Sequence, residues 1–511
     1  MRRSTPRKLL VPVLGIVVSA VSACSHPALV EPSGGASTGA GDGGSGGGIA
    51  QTTATGGGTT SGGQVSSSTG VGGAPAALDP SHPALPCVDA ASDVYLAPNN
   101  LPPMDPSARG DVVRCAVDAE LSLADVAATV SGKGISAEMT SGTNLFRIAF
   151  RTTRGDGAAG ISTARVYLPT TPRAATLPIL VVGHPTEGIA DACAPSAKPS
   201  SNVDLALPWA GRGFAVIVPD YAGLGNEGAQ AYLDNRDQGH ALLDGARALR
   251  RLLQPGVFTP KIVGVGFSQG GGAILSMQAL ASSYGADGEL VGAVAIAPEW
   301  PTRLGSFGFV DLLEHPEKLT IQTGISDNVI AVMRLYGWMY NALGPAHAGD
   351  AFPASDRQDM VDAVESQCLM QLGGYLQATA PHVGDNFDDA FRTSLLACIH
   401  SGGQSPDCVE PARSFHASLE QNVLAGDPTG AKILYVQGLS DYVLPPQREA
   451  ACNVEKLEAD GVHPELCIDA AAQHQTVVER NMNTVLAWGE ALIDGAPLPT
   501  CSNTFLPPCI P

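Results

Sequence analysis

The chain has 511 residues, 44% of them hydrophobic, which is enough length and apolar content for a large buried core. Its 49 acidic and 29 basic residues leave a formal charge of −20, which argues against nucleic acid and anionic surfaces as partners. A soluble acidic body is expected, with no membrane-spanning catalytic part.

At the start of the chain Arg2, Arg3, Arg7 and Lys8 precede an apolar stretch from Leu9 to Ala23. That pattern predicts an export signal over residues 1–23, too short to serve comfortably as a span. Val21-Ser22-Ala23-Cys24 resembles the lipobox of bacterial lipoproteins, which implies cleavage after Ala23 and acylation of Cys24. Buried acyl methylenes would then anchor the protein. Ser25, where an aspartate would retain such a protein, implies transfer to the outer membrane or cell surface; without acylation the protein is expected to be secreted. Residues 33–77 are dominated by Gly, Ser and Thr, so residues 24–85 are expected to be a flexible tether and residues 86–511 the folded domain.

Removing Cys24 leaves ten of the 11 cysteines, an even number in an exported chain. Disulfides are therefore expected, with the pairing left open. No Cys-x-x-Cys pair or His/Cys cluster has zinc-site spacing, so no metal is expected.

From residue 145 short apolar runs alternate with longer amphipathic ones. Strands are predicted at Leu145 to Phe150, Arg165 to Leu168, Leu177 to Gly183, Phe214 to Val218, Ile262 to Gly266 and Leu290 to Ala297, then much later at Ile433 to Gln437 and Glu465 to Ala471. Ala241, Leu242, Ala246, Leu249 and Leu253 recur at helical spacing, with Asp244, Arg247 and Arg250 on another face, before Pro255 stops the run. Such alternation predicts an α/β fold, a mostly parallel central sheet with helices on both faces. A segment at about residues 299–425 is richer in helical patterns and is expected to form a mainly helical cap or lid. Its stretch from Val329 to Tyr340, with Tyr336 and Trp338, fits either the cap's own core or a wall for an acyl chain.

Gly266-Phe267-Ser268-Gln269-Gly270 follows a predicted strand and leads into small residues that begin a helix. Glycines on both sides let the chain turn sharply there and hold the serine hydroxyl clear of the sheet. The same pattern at Ser37 and Ser45 lies in the Gly/Ser/Thr tract, where nothing could hold a serine against a base. Ser268 is therefore the candidate nucleophile.

Functional groups in such sheets collect beyond the carboxyl ends of the strands. Asp441 and His474 follow their strands at that end, whereas His463 and Asp427 precede theirs, Asp469 lies within a strand, and His382, His400 and His416 fall in the insertion. The order Ser268, Asp441, His474 matches a nucleophile, its orienting acid and a general base. His474 would take the serine proton during attack on a carbonyl carbon. The backbone N–H of Gln269 is the first expected oxyanion donor. In Gly183-His184-Pro185-Thr186-Glu187-Gly188, Pro185 has no N–H, so Thr186 is the second, with His184 bracing the turn or, alternatively, acting as a base.

Several segments together resemble the secretory lipase family of α/β-hydrolases in its bacterial branch, over about residues 145–501. They are His184-Pro185-Thr186-Glu187-Gly188 with Cys193-Ala194-Pro195-Ser196, Asp220-Tyr221-Ala222-Gly223-Leu224-Gly225, Tyr232-Leu233, Leu243-Asp244-Gly245-Ala246-Arg247-Ala248, and the Ser268 segment. The resemblance implies the α/β-hydrolase fold and a secreted serine carboxylic ester hydrolase of lipase type, acting on lipid or other hydrophobic esters without an organic cofactor. A polyester or aryl esterase, a peptidase, or a surface binding protein with decayed catalysis are the alternatives. Phe267 stands where the family has histidine, which makes the floor of the acyl site more apolar, and Pro185 where it has glycine. The resemblance also implies that Cys193 pairs with a cysteine of the insertion, for which Cys368 is chosen. Cys452 and Cys467, flanking a helix and the last strand, are expected to pair locally.

Overall fold

Ile179 and Val181 face one apolar layer while Leu180 and Val182, between and beside them, face another, and all four are fully buried. A strand with both faces buried belongs inside a sheet that is covered on two sides. The computed structural model describes residues 78–97, 102–198, 203–300, 308–320 and 325–510. Its strands are β1 (Val112–Leu121), β2 (Thr143–Thr153), β3 (Ala159–Pro169), β4 (Leu177–Gly183), β5 (Ala215–Ala222), β6 (Phe258–Phe267), β7 (Glu289–Ile296), β8 (Lys432–Gly438) and β9 (Glu465–Asp469). They form one nine-stranded sheet in the order β1-β2-β3-β5-β4-β6-β7-β8-β9. The pairings β1–β2, β2–β3 and β3–β5 are antiparallel, and those from β5 through β9 are parallel.

The helices in chain order are α1 (Leu123–Gly132), α2 (Val203–Gly211), α3 (Asn235–Leu252), α4 (Gln269–Leu280), α5 (Phe309–Glu314), α6 (Ile325–Leu343), α7 (Arg357–Ser366), α8 (Leu369–Thr379), α9 (Asp389–Ser401), α10 (Ala412–Gln421), α11 (Ala450–Ala459) and α12 (Val477–Asp494). Helices α3, α4 and α11 bury their apolar residues in the layer that holds Ile179. Helices α1, α2 and α12 do so in the layer that holds Leu180. Helix α3 starts where Asp234 accepts a bond from Asp237 N at 2.9 Å, and it ends with Arg250 and Arg251 in the last turn, both favourable to the helix dipole. Its second face is not exposed at Asp244 and Arg247. Both are buried, and Asp244 accepts from Thr152 Oγ1 at 2.8 Å and Tyr284 Oη at 2.7 Å besides pairing with Arg247.

Helices α5 to α10 lie between β7 and β8, where the insertion was expected. Their apolar residues fall into two clusters, the second shared with Ile189, Tyr232 and Leu233 of the sheet domain. In α6, Ala331, Leu335 and Met339 pack into a cluster with α5, α9 and α10, whereas Val332, Met333 and Tyr336 pack into another with α7 and α8.

The structure differs from the sequence expectations in several places. β1 had no predicted counterpart, because Asp118 and Glu120 interrupt its apolar pattern at the sheet edge. β3 runs longer than Arg165 to Leu168, since its extension buries the polar Ser162 and Thr163. Residues 81–85 belong to the body rather than to the tether: Ala84 N donates to Leu252 O at 2.8 Å and Asn144 Nδ2 to Ser81 O at 3.0 Å. Cys452 and Cys467 do not pair with each other. The bonds are Cys87–Cys115, Cys193–Cys368, Cys398–Cys408, Cys452–Cys509 and Cys467–Cys501. The C-terminal segment brings Cys501 and Cys509 within reach because it lies along β9 and the approach to α11, with Ile468 N bonded to Asn503 O and Ile510 N to Gln447 O, each at 2.9 Å.

The export signal, Cys24 and the tether as far as residue 77 lie outside the described residues. Among the described residues no helix is long and apolar enough to cross a membrane.

Candidate active site

Ser268 occupies the single residue between β6 and α4, with φ 56° and ψ −121°. Such a backbone conformation costs a non-glycine residue about 1–3 kcal/mol and persists only where its surroundings over-determine it. Here they do. Ser268 N donates to Ile296 O at 2.9 Å, and Ser268 O accepts from Gly272 N and Glu299 N, each at 3.1 Å. Gly270 and Gly272 permit the close packing: a Cβ on Gly270 would strike Gly183 O, and one on Gly272 would strike Glu299 O.

Asp441 lies just beyond β8. Its Oδ1 accepts from Val443 N at 2.9 Å and Leu444 N at 2.8 Å, and its Oδ2 accepts from Gln437 Nε2 at 3.2 Å. His474 lies beyond β9, which ends at Asp469 rather than Ala471. The two loops are bonded to each other, Leu439 N to Asp469 O at 2.9 Å and Ser440 N to Ala472 O at 3.1 Å. Asp469 folds the second loop by accepting from Ala471 N at 3.0 Å, and Arg480 binds its other oxygen at 2.8 Å.

These loops bring three side chains into line. His474 Nδ1 is 2.7 Å from Asp441 Oδ2, and His474 Nε2 is 3.0 Å from Ser268 Oγ. An ionised Asp441 requires the proton on Nδ1, which leaves Nε2 as an acceptor for the serine hydroxyl. All three residues are under 9% exposed, so their charges and dipoles act in a medium with little water. Phe267 packs against this histidine with the two rings tilted 39° and their centroids 4.8 Å apart, so its observed contact is with the imidazole.

The turn after β4 packs directly on the Ser268 bend, Gly183 pairing with Gly266 across the sheet. His184 is fully buried, its Nδ1 donates to Pro185 O at 2.6 Å, and its carbonyl accepts from Tyr221 Oη at 3.2 Å. Its ring has no hydrogen bond to Ser268 among the described residues. Thr186 Oγ1 is 2.7 Å from Tyr232 Oη. Gln269 opens α4, so its N–H has no carbonyl a turn back within the helix, while its side-chain amide donates to Gln238 Oε1 at 2.7 Å.

Asp220 joins two of the sequence segments. It accepts from Ser196 N at 2.9 Å, from Ser196 Oγ, and from Thr163 Oγ1 at 2.6 Å, and burial nevertheless pushes its carboxyl above the usual range. Next to it the Cys193–Cys368 bond ties the segment after the turn to the first residues of α8, where Leu369 N also donates to Glu187 O at 2.9 Å.

Neither Tyr336 nor Trp338 has a hydrogen bond or ring contact with Ser268 or His474 among the described residues. Tyr336 donates to Glu365 within the cap. Trp338 packs edge-on to Phe415, 5.0 Å between centroids, and lines a cavity of about 340 Å³ with Arg154, Asp234, Arg334, Phe415 and Leu419, which neither Ser268 nor His474 lines. An apolar helical stretch satisfies cap packing and chain binding equally, so its sequence could not separate them. His400 and His382 are bound to Glu314 and Asp385 in the insertion. Among the described residues no group of three His, Cys, Asp or Glu could hold a metal ion.

Sequence reasoning assigned no role to Tyr232 or Glu299. Glu299 is 4% exposed and its backbone fixes the Ser268 carbonyl. A charged residue so soon after the apolar run of β7, at the end of the sheet that carries Ser268, was the available signal.

A family model described as secretory lipase matches residues 202–301, which include Ser268, Gln269 and Tyr232 but not Asp441 or His474. No curated protein matches the chain. Lipase A of Candida antarctica is similar in structure, with a TM-score of 0.56 and 18% identity over 79% of this chain and 86% of its own. The rice cell wall degrading esterase LipA from Xanthomonas oryzae has a TM-score of 0.57 and 18% identity over 76% of this chain and 100% of its own. The fold is that of the α/β-hydrolases.

Proposed function

We propose that this chain is an exported serine carboxylic ester hydrolase of lipase type, cleaving lipid or other hydrophobic esters through Ser268, His474 and Asp441. The observation that carries this reading is the continuous chain of contacts, 2.7 Å from Asp441 to His474 and 3.0 Å from His474 to Ser268. The match of residues 202–301 to the secretory lipase model supports the ester class.

In this reaction Ser268 Oγ attacks the ester carbonyl carbon while its proton passes to His474 Nε2. Asp441 holds the imidazole and stabilises its cationic form. The oxyanion is met by the backbone N–H groups of Gln269 and Thr186. His474 then gives its proton to the departing alcohol, leaving an acyl group on Ser268. A water, deprotonated by the same histidine, releases the acid and restores the serine. Every proton is returned within the cycle, and side chains and backbone supply each step.

The test is turnover of p-nitrophenyl butyrate and of a long-chain ester, together with labelling by a fluorophosphonate. Ser268→Ala is expected to lose both activity and label with its unfolding transition retained; labelling that persists in this variant refutes the assignment. Export through residues 1–23 and anchoring through Cys24 belong to the same proposal. Growth with labelled palmitate should mark the wild-type protein and not Cys24→Ala.

A further inference from the structure

Pro185 cannot donate a hydrogen bond, so the oxyanion turn depends on Thr186. A turn that must place one N–H to within a few tenths of an ångström needs something to hold it. The Thr186 hydroxyl is bonded to Tyr232, at 2.7 Å, and Tyr232 is itself fixed on several sides. It is 3% exposed and shares an apolar cluster with Ile189, Met333 and Tyr336. Tyr232 N donates to Gln230 O at 2.9 Å, and the next residue, Leu233, takes the left-handed φ of 61°. Leu233 O accepts from Asn422 Nδ2, just past α10, at 2.7 Å. Gly337 of α6 packs so closely on Gln230 O that a Cβ there would collide with it. Burial and the nearby Glu299 carboxylate hold the Tyr232 hydroxyl well above the usual tyrosine range, so it stays protonated at neutral and moderately alkaline pH.

We propose that Tyr232 is a positioning residue for the reaction: its hydroxyl bond fixes Thr186 in the oxyanion turn, and cap helix α6, seated on the Tyr232 loop at Gly337, helps to keep it there. This rests on the ester hydrolase reading. A bond that orients an oxyanion donor acts mainly on the transition state, so its loss should appear in kcat and leave KM nearly alone.

The experiment compares Tyr232→Phe, Thr186→Val and the double variant with the wild-type protein in p-nitrophenyl butyrate hydrolysis. Tyr232→Phe should lower kcat about 10-fold with KM changed by less than about 2-fold. Thr186→Val breaks the same bond from the other side, and the double variant should be no worse than the more impaired single one. The rate of phosphonylation of Ser268 should fall in step. An unchanged kcat in Tyr232→Phe, losses that multiply in the double variant, or a rise in KM alone overturns the proposal. If Tyr232→Phe does not fold, the kcat and KM of Thr186→Val decide by the same criteria. An active wild-type protein with these contrary results removes the role of Tyr232 only, whereas a wild-type protein that hydrolyses no ester removes the underlying reading as well.

Discussion

At the carboxyl edge of the sheet, Ser268, Asp441 and His474 each stand within a few residues of a strand, on loops whose backbone is tied at several points. In the cap, the conspicuous side chains answer to one another: Trp338 to Phe415, Tyr336 to Glu365, His400 to Glu314. The two regions draw on the same kinds of residue. They differ in what fixes the side chain, a parallel sheet in one case and the packing of neighbouring helices in the other. Chemistry needs atoms held to within about 0.5 Å, and rigid scaffold elements hold them better than packed side chains alone. Aromatic richness is therefore a poor guide to function beside position along a strand.

The sharpest way to break this comparison is Asp441→Asn. If the carboxylate orients His474, kcat for ester hydrolysis should fall by about 10⁴ while the unfolding transition stays in place. A near wild-type rate would make Asp441 only a turn former for Val443 and Leu444. Next in size is the double change Cys193→Ser with Cys368→Ser, which cuts the covalent tie between the two regions. It should cost about 3 kcal/mol in denaturant unfolding measured without reductant. Trp338→Ala should destabilise the protein by about 2 kcal/mol and alter kcat/KM for short-chain and long-chain esters alike. A selective loss on long chains would instead return Trp338 to the acyl wall.

The smallest effect concerns the His474 loop. The Arg480 side chain, with support from backbone N–H groups, holds the Asp469 carboxyl below its ordinary value of 3.8. The ionised form is therefore favoured in the folded state, and its contribution is present above about pH 4 and lost as pH falls through the lowered value. Arg480→Gln should raise the midpoint of acid unfolding by a few tenths of a pH unit at most, because this ion pair is partly exposed. A fall in the midpoint would show that Arg480 burdens the loop.

Much of the sheet edge was legible in the sequence because it obeys a period. Leu177 to Gly183 and Ile262 to Gly266 are apolar on both faces, which marks a covered parallel strand, and the residues just after such strands gather at one edge. β1 was not legible, since an edge strand with Asp118 and Glu120 has no clean alternation. The pairing of Cys452 and Cys467 went astray because proximity in sequence says nothing of a tail that folds back from residue 501 onward. Asp244 and Arg247 share a helical face, as their spacing implies, but their burial was not legible, since Tyr284 and Thr152, which bond Asp244, are distant in sequence. Tyr232 was visible as a residue and invisible as a function, because its value lies in one hydroxyl contact across 46 positions.

The returning tail also changes what the molecule offers to its neighbours. β9 ends the sheet, and an unpaired terminal strand invites another chain to add itself. Asn503 takes up the Ile468 amide on that margin, and two sulfur bridges pin the segment on either side. A strand from another copy would thus find the Ile468 amide already taken at this margin.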